Sequence, residues 1–144
     1  MRMAGTGPRR RPGIDEVLER VSLWRGKAVR ARPLSGGLTN ENFLVEADGE
    51  RYVVRIPGAD TELLAVDRRN ERHNAEAAAT TGVSPRVLEY LDDVCVMVLE
   101  YIEGETMSAE RLRDPANIPR IAASLRRLHA GPRFLKDFDM FRTV

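Results

Sequence analysis

Residues 34–58 read LSGGLTNENFLVEADGERYVVRIPG. Within them NFLVEA and RYVVRI are β-type runs rich in branched and aromatic residues, and Asp48-Gly49 between them is a tight-turn signal. Just upstream, KAVRARPL is a third such run, set off by the loop Ser35-Gly36-Gly37-Leu38-Thr39-Asn40. Together they predict a three-stranded antiparallel meander that Pro57-Gly58 brings to an end. Side chains alternate along a strand, so Tyr52, Val54 and Ile56 share the face predicted to pack the core, and Val53 and Arg55 share the other.

Downstream, the segment from about Glu62 to Thr81 is rich in Ala, Leu, Glu and Arg and predicts a helix that Gly82 closes. Two more strands follow, around RVLEYL and VCVMVLEYI, joined by a tight turn at Asp92-Asp93; Cys95 reads as a small buried hydrophobe inside the second strand. After Gly104, Ser108 is an N-cap signal, and IPRIAASLRRLHAG places Ile118, Ile121, Ala122, Leu125 and Leu128 on one helical stripe ended by Gly131. Upstream of the meander, IDEVLERVSLWR over residues 14–25 predicts a short amphipathic helix. The fold class expected is therefore α+β, with three parts: a disordered tail over 1–13, a five-stranded antiparallel sheet with one packed helix over 14–103, and helical segments over 104–144. The chain stops at FDMFRTV without a closing element, which reads as a helical part cut short.

Composition narrows the function classes. With 144 residues the chain makes one ordinary domain. Lys+Arg 23 against Asp+Glu 22 gives a net charge of +1, so no global field marks a nucleic-acid partner. No apolar run approaches the length of a membrane span. One cysteine excludes an internal disulfide, and His73 and His129 leave too few soft ligands for structural zinc. These features point to a cytoplasmic protein. Arg9, Arg10 and Arg11 read as part of a solvated tail, against the alternative of a short nucleic-acid or lipid-attracting arm.

Several residues can carry chemistry. Paired glycines at Gly36 and Gly37 let backbone N–H groups approach an anion, and Ser35, Thr39 and Asn40 add side-chain hydrogen bonds; a plain hairpin loop uses the same residues. Arg55 offers bidentate donors to phosphate oxygens, with a solvated edge charge as the alternative. Glu71 lies among alanines on a helix face, where it either partners a cation such as Arg55 or pairs locally with Arg68 or Arg72. Where the last apolar strand ends, the main chain at Glu100 and Ile102 can pair with the edge of a purine. His73 and His129 read as ordinary helix residues.

The order of these features resembles the choline/ethanolamine kinase family, within the aminoglycoside-phosphotransferase-like kinases. The resemblance rests on LSGGLTNENFLVEADGERYVVRIPG, DRRNERHNA, VMVLEYIEGETM and LRRLHA, and spans about Pro33 to Thr143. It implies a protein-kinase-like N-terminal lobe followed by the first helices of a helical C-terminal lobe. It also implies a nucleotide loop at Ser35 to Asn40, a phosphate-contacting Arg55 with Glu71 as its partner, and an adenine-holding hinge at Glu100 to Ile102. ATP and Mg²⁺ are the implied cofactors, and choline or ethanolamine the favoured acceptor, ahead of thiamine, an aminoglycoside or a sugar.

The family's H-x-D-x-x-x-x-N-like catalytic loop and later acidic metal motif do not occur in these residues, so no catalytic or metal-binding residue is expected here. The expectation is a nucleotide-binding part of a small-molecule kinase that is inactive by itself. The alternative is a non-catalytic nucleotide-binding or regulatory module that self-associates through the 118–128 helix face.

Overall fold

The computed structural model describes residues 10–35, 39–58 and 67–136. Most of the expected N-terminal tail, the loop centre Gly36 to Leu38, and the expected first turn of the central helix lie outside them. Of the tail, Arg10 is seen paired with Glu16 at 2.6 Å, and Arg11 with Glu41. The chain divides into two compact units, one of residues up to 66 with 87–101, the other of 67–86 with 102 onward.

The first unit holds α1 (Ile14–Arg20), β1 (Val29–Leu34), β2 (Asn40–Ala47), β3 (Glu50–Pro57), β4 (Val87–Leu91) and β5 (Val96–Glu100). The strands form one antiparallel sheet in the order β1-β2-β3-β5-β4, so the expected meander is extended by β5 at its centre and β4 at its edge. Asp48 and Gly49 sit at φ 49° and 86°, the left-handed conformations a two-residue hairpin requires, and they pair Ala47 with Glu50. Asp48 also accepts from Ala28 N through its carboxylate at 3.1 Å, fastening the start of β1.

As the alternation predicts, Tyr52, Val54 and Ile56 are buried. With Val45, Ala47, Val96 and Val98 they form a core closed by Val17, Val21 and Trp24. Each fully buried valine contributes about 1.5–3 kcal/mol relative to exposure. Trp24 meets Tyr52 edge-on at 5.5 Å between ring centroids and donates Nε1–H to the Leu18 carbonyl at 2.8 Å.

The single helix expected over 14–25 is broken at Val21, whose backbone is extended (φ −70°, ψ 130°), and a 3₁₀ turn at Ser22–Trp24 follows. A distant carboxylate makes the break stable. Glu89 on β4 accepts from Ser22 N at 2.9 Å, Ser22 Oγ at 2.8 Å and Leu23 N at 3.2 Å, satisfying the amides that a continuous helix would have bonded. The β4–β5 connection also differs from expectation. It is a four-residue turn over 92–95, with Cys95 at φ 56° outside the strand, although Cys95 is buried as expected.

The second unit holds α2 (Arg68–Thr80), α3 (Ala109–Arg113) and α4 (Ile118–His129). Asp67 stands outside α2 as its N-cap and accepts from Arg69 N at 3.1 Å and Asn70 N at 3.2 Å, so α2 begins at Arg68; residues 62–66 of the expected helix lie outside the described residues. Ser108 caps α3 alone, and a turn over 114–117 separates it from α4. Gly131 closes α4 against the end of α2: a Cβ there would lie 2.3 Å from Thr81 Cγ2. The chain beyond Gly131 then runs along α2, with Leu135 N donating to Asn74 Oδ1 at 3.0 Å and Lys136 paired with Asp67 at 2.5 Å.

Candidate functional site

Antiparallel register places side chains in rows across the sheet face opposite the core. One row is apolar: Leu44 on β2, Val53 on β3, Leu99 on β5 and Val87 on β4. The next row, about 7 Å along the strands, is Asn42, Arg55, Met97 and Tyr90. Asn40, two residues before Asn42, lies on the same face, and Ser35 and Thr39, the described ends of the intervening loop, adjoin β1 and β2 at this end. The face thus grades from apolar side chains beside the end of β5 to amides and a guanidinium beside the glycine loop.

Of the residues singled out in the sequence, Ser35 is exposed directly after β1, and Thr39 and Asn40 are half-buried. Thr39 accepts Gly58 N–H on its carbonyl at 2.9 Å, which ties the loop's far end to the end of β3, and Asn40 Nδ2 donates to Thr39 Oγ1 at 3.4 Å. Gly36 and Gly37 lie outside the described residues. Arg55 is half-buried and donates Nε–H to Asn42 Oδ1 at 3.4 Å. Glu100 is the last residue of β5, in register with Tyr52.

Two candidates belong to the second unit. Glu71, in the first turn of α2, pairs with Arg68 at 2.5 Å, the local partner that helical spacing offers. Ile102 is exposed. Among the described residues no group of three or more His, Cys, Asp or Glu side chains is placed to hold a metal ion. No described helix is long and apolar enough to cross a membrane.

Glu50 at the β3 start takes Lys27 Nζ at 2.6 Å and the Tyr52 hydroxyl at 2.8 Å, which holds its carboxyl below the usual range and raises both partners. Lys136, aided by the Asn70 and Arg69 amides, lowers Asp67. Arg20, bonded to Asp93 at 2.6 Å, lowers that carboxyl.

Asn42, like Leu44, Val87 and Tyr90, is a residue of this face that the sequence reading did not single out. Its signal was present: the two-residue turn at Asp48-Gly49 fixes the pairing, and Asn42 falls opposite Arg55. Glu89 was also passed over, because its partners at Ser22 and Leu23 are remote in sequence.

A sheet face graded from an apolar row to amides and a guanidinium has the chemistry to take an apolar ring at one end and an anion at the other. Residues 30–143 match the profile of the Phosphotransferase enzyme family, and the chain belongs to that family. Its relatives there are of the choline/ethanolamine kinase type. Ethanolamine kinase 2 of Mus musculus is 32% identical over 74% of this chain and 28% of its own length. A choline/ethanolamine kinase family protein from Mesorhizobium loti superimposes with a TM-score of 0.70 at 36% identity, over 89% of this chain and 42% of that one. A LicA structure in complex with AMP shares the fold, with a TM-score of 0.65 at 23% identity, over 87% of this chain and 42% of that one. The chain therefore spans less than half the length of each of these proteins. The expected α+β kinase-like lobe, with its five-stranded antiparallel sheet, is the fold these neighbours share.

Proposed function

We propose that this chain is the nucleotide-binding part of an ATP-dependent small-molecule kinase whose acceptor is the hydroxyl of choline or ethanolamine. The observation that carries the reading is Arg55, fixed on the non-core face of β3 with amides on one side and an apolar row next along the strand. Val53, half-buried in register between the buried Leu44 and Leu99, offers an apolar surface to a purine, and the main chain at Glu100 lies at that end. Ser35, Gly36, Gly37, Thr39 and Asn40 take the phosphates at the other end, where Arg55 supplies the charge. Glu71 and Ile102, in the second unit, enter the assignment on the family resemblance.

MgATP would donate its γ-phosphoryl group to the acceptor oxygen in such a reaction. The described residues offer no cluster suited to Mg²⁺, and no step is assigned to the metal here. A general base in an H-x-D-x-x-x-x-N-like loop is likewise absent from this sequence, so the chain on its own is assigned binding and not turnover. The preference for choline or ethanolamine comes from the named activities of its relatives.

Calorimetry of the 144-residue chain with ATP tests the reading. Saturable binding that weakens at least ten-fold in Arg55→Ala, with an unchanged circular dichroism spectrum, is expected. No binding at millimolar ATP would overturn it. A second reading, a self-associating module without catalysis, draws on α4, where Ile118 is 53% and Leu125 49% exposed. A concentration-independent monomer by light scattering would exclude it.

A further inference from the structure

We infer that Asn42 is a positioning residue for Arg55, aiming its guanidinium at phosphate oxygens; this rests on the nucleotide reading above. The two residues face each other across β2 and β3, both half-buried, and Arg55 Nε–H points into Asn42 Oδ1 at 3.4 Å. Among the described residues this is the one hydrogen bond the Arg55 guanidinium makes. A guanidinium carries five N–H donors in a planar fork. Engaging the single Nε–H from the side fixes the plane of that fork and leaves both Nη groups for a bidentate acceptor.

The neutral amide suits this task better than a carboxylate would. A carboxylate at 42 would neutralise the cation and compete with the incoming phosphate, whereas an amide oxygen orients the fork and leaves its charge in place. The bond is at the long end of the hydrogen-bonding range, so its role is to restrict orientation more than to hold the sheet together. The sheet face around it is supported by Leu44, Met97 and Leu99, all buried.

NMR titrations of the full chain with ATP and with adenosine, which read millimolar dissociation constants, test the assignment. Asn42→Leu is expected to weaken ATP about five-fold, the scale of one hydrogen bond, and to leave adenosine unchanged. Asn42→Asp, nearly isosteric, is expected to weaken ATP further, again sparing adenosine. In an Arg55→Lys background, which lacks the Nε–H, Asn42→Leu is expected to add nothing.

Unchanged ATP affinity in both Asn42 variants overturns the positioning role alone. Equal losses for ATP and adenosine, or full additivity with Arg55→Lys, overturn it as well, since Asn42 would then be supporting the sheet. If the wild-type chain binds neither ligand, the nucleotide reading falls and this inference falls with it.

Discussion

The sheet unit buries a continuous set of large apolar side chains, from Val17 and Trp24 to Val54 and Val98, while in the second unit Ala77 is the one buried hydrophobic side chain among the described residues. The helices of that second unit are organised instead by polar devices. Asp67 caps α2, Ser108 caps α3, and Asn74 and Asp67 hold the chain beyond α4. The contrast separates two ways of specifying structure. Burial supplies most of the stability in the sheet unit, and capping with close backbone approach fixes geometry in the other.

The sharpest way to break the first half of this comparison is Val54→Asp. It places a charge in a fully buried position, and a loss of more than about 4 kcal/mol, read as the absence of a cooperative urea transition, is expected. Glu89→Ala tests whether the sheet unit also depends on one polar device. Stranding the Ser22 and Leu23 amides is expected to cost about 1–3 kcal/mol, with Glu89→Gln, which keeps one acceptor oxygen, costing less. Chemical denaturation of both variants checks this.

Gly131→Ala sharpens the other half. The added methyl meets Thr81 Cγ2, and a loss of about 1–3 kcal/mol is expected in thermal melts. Adding Thr81→Ser, which removes that methyl but keeps the hydroxyl bond to the Ala78 carbonyl, is expected to restore part of it. The smallest effect is on pH. Because Lys136 and the α2 amides lower Asp67, its stabilising contribution is complete above the unfolded value of about 3.9 and fades only as pH falls through the lower folded value. Amide exchange at Arg69 and Asn70 should stay protected at pH 4 and rise below it; loss of protection already at pH 5 would contradict the cap.

The sheet was the readable part because its signals are local. Alternation in Tyr52–Ile56 and the Asp48-Gly49 turn determine both the face and the partner of every residue in the β2–β3 hairpin, so the placement of Arg55 followed from composition and spacing. Errors arose where a remote or single residue decides the backbone. The expected helix ran through Asp67, yet the Asp67 backbone is extended and its side chain takes the first amides of α2, which starts at Arg68. The break at Val21 depends on Glu89, which reaches its position through an irregularity in the β4 register between Val87 and Glu89. Nothing near Val21 in sequence announces it. At the candidate site, Arg55 was visible by its face and Asn42 only by its register.

The position of β5 between β3 and β4 has a consequence for how the chain finds its structure. The β1–β2–β3 meander and the β4–β5 hairpin each close over short loops, whereas the β3–β5 pairing that unites them joins Arg55 to Met97 across the whole α2 excursion. Loop-closure entropy makes that junction the late and slow event. Mutations in α2 can thus alter the folding rate of a sheet to which that helix contributes no strand.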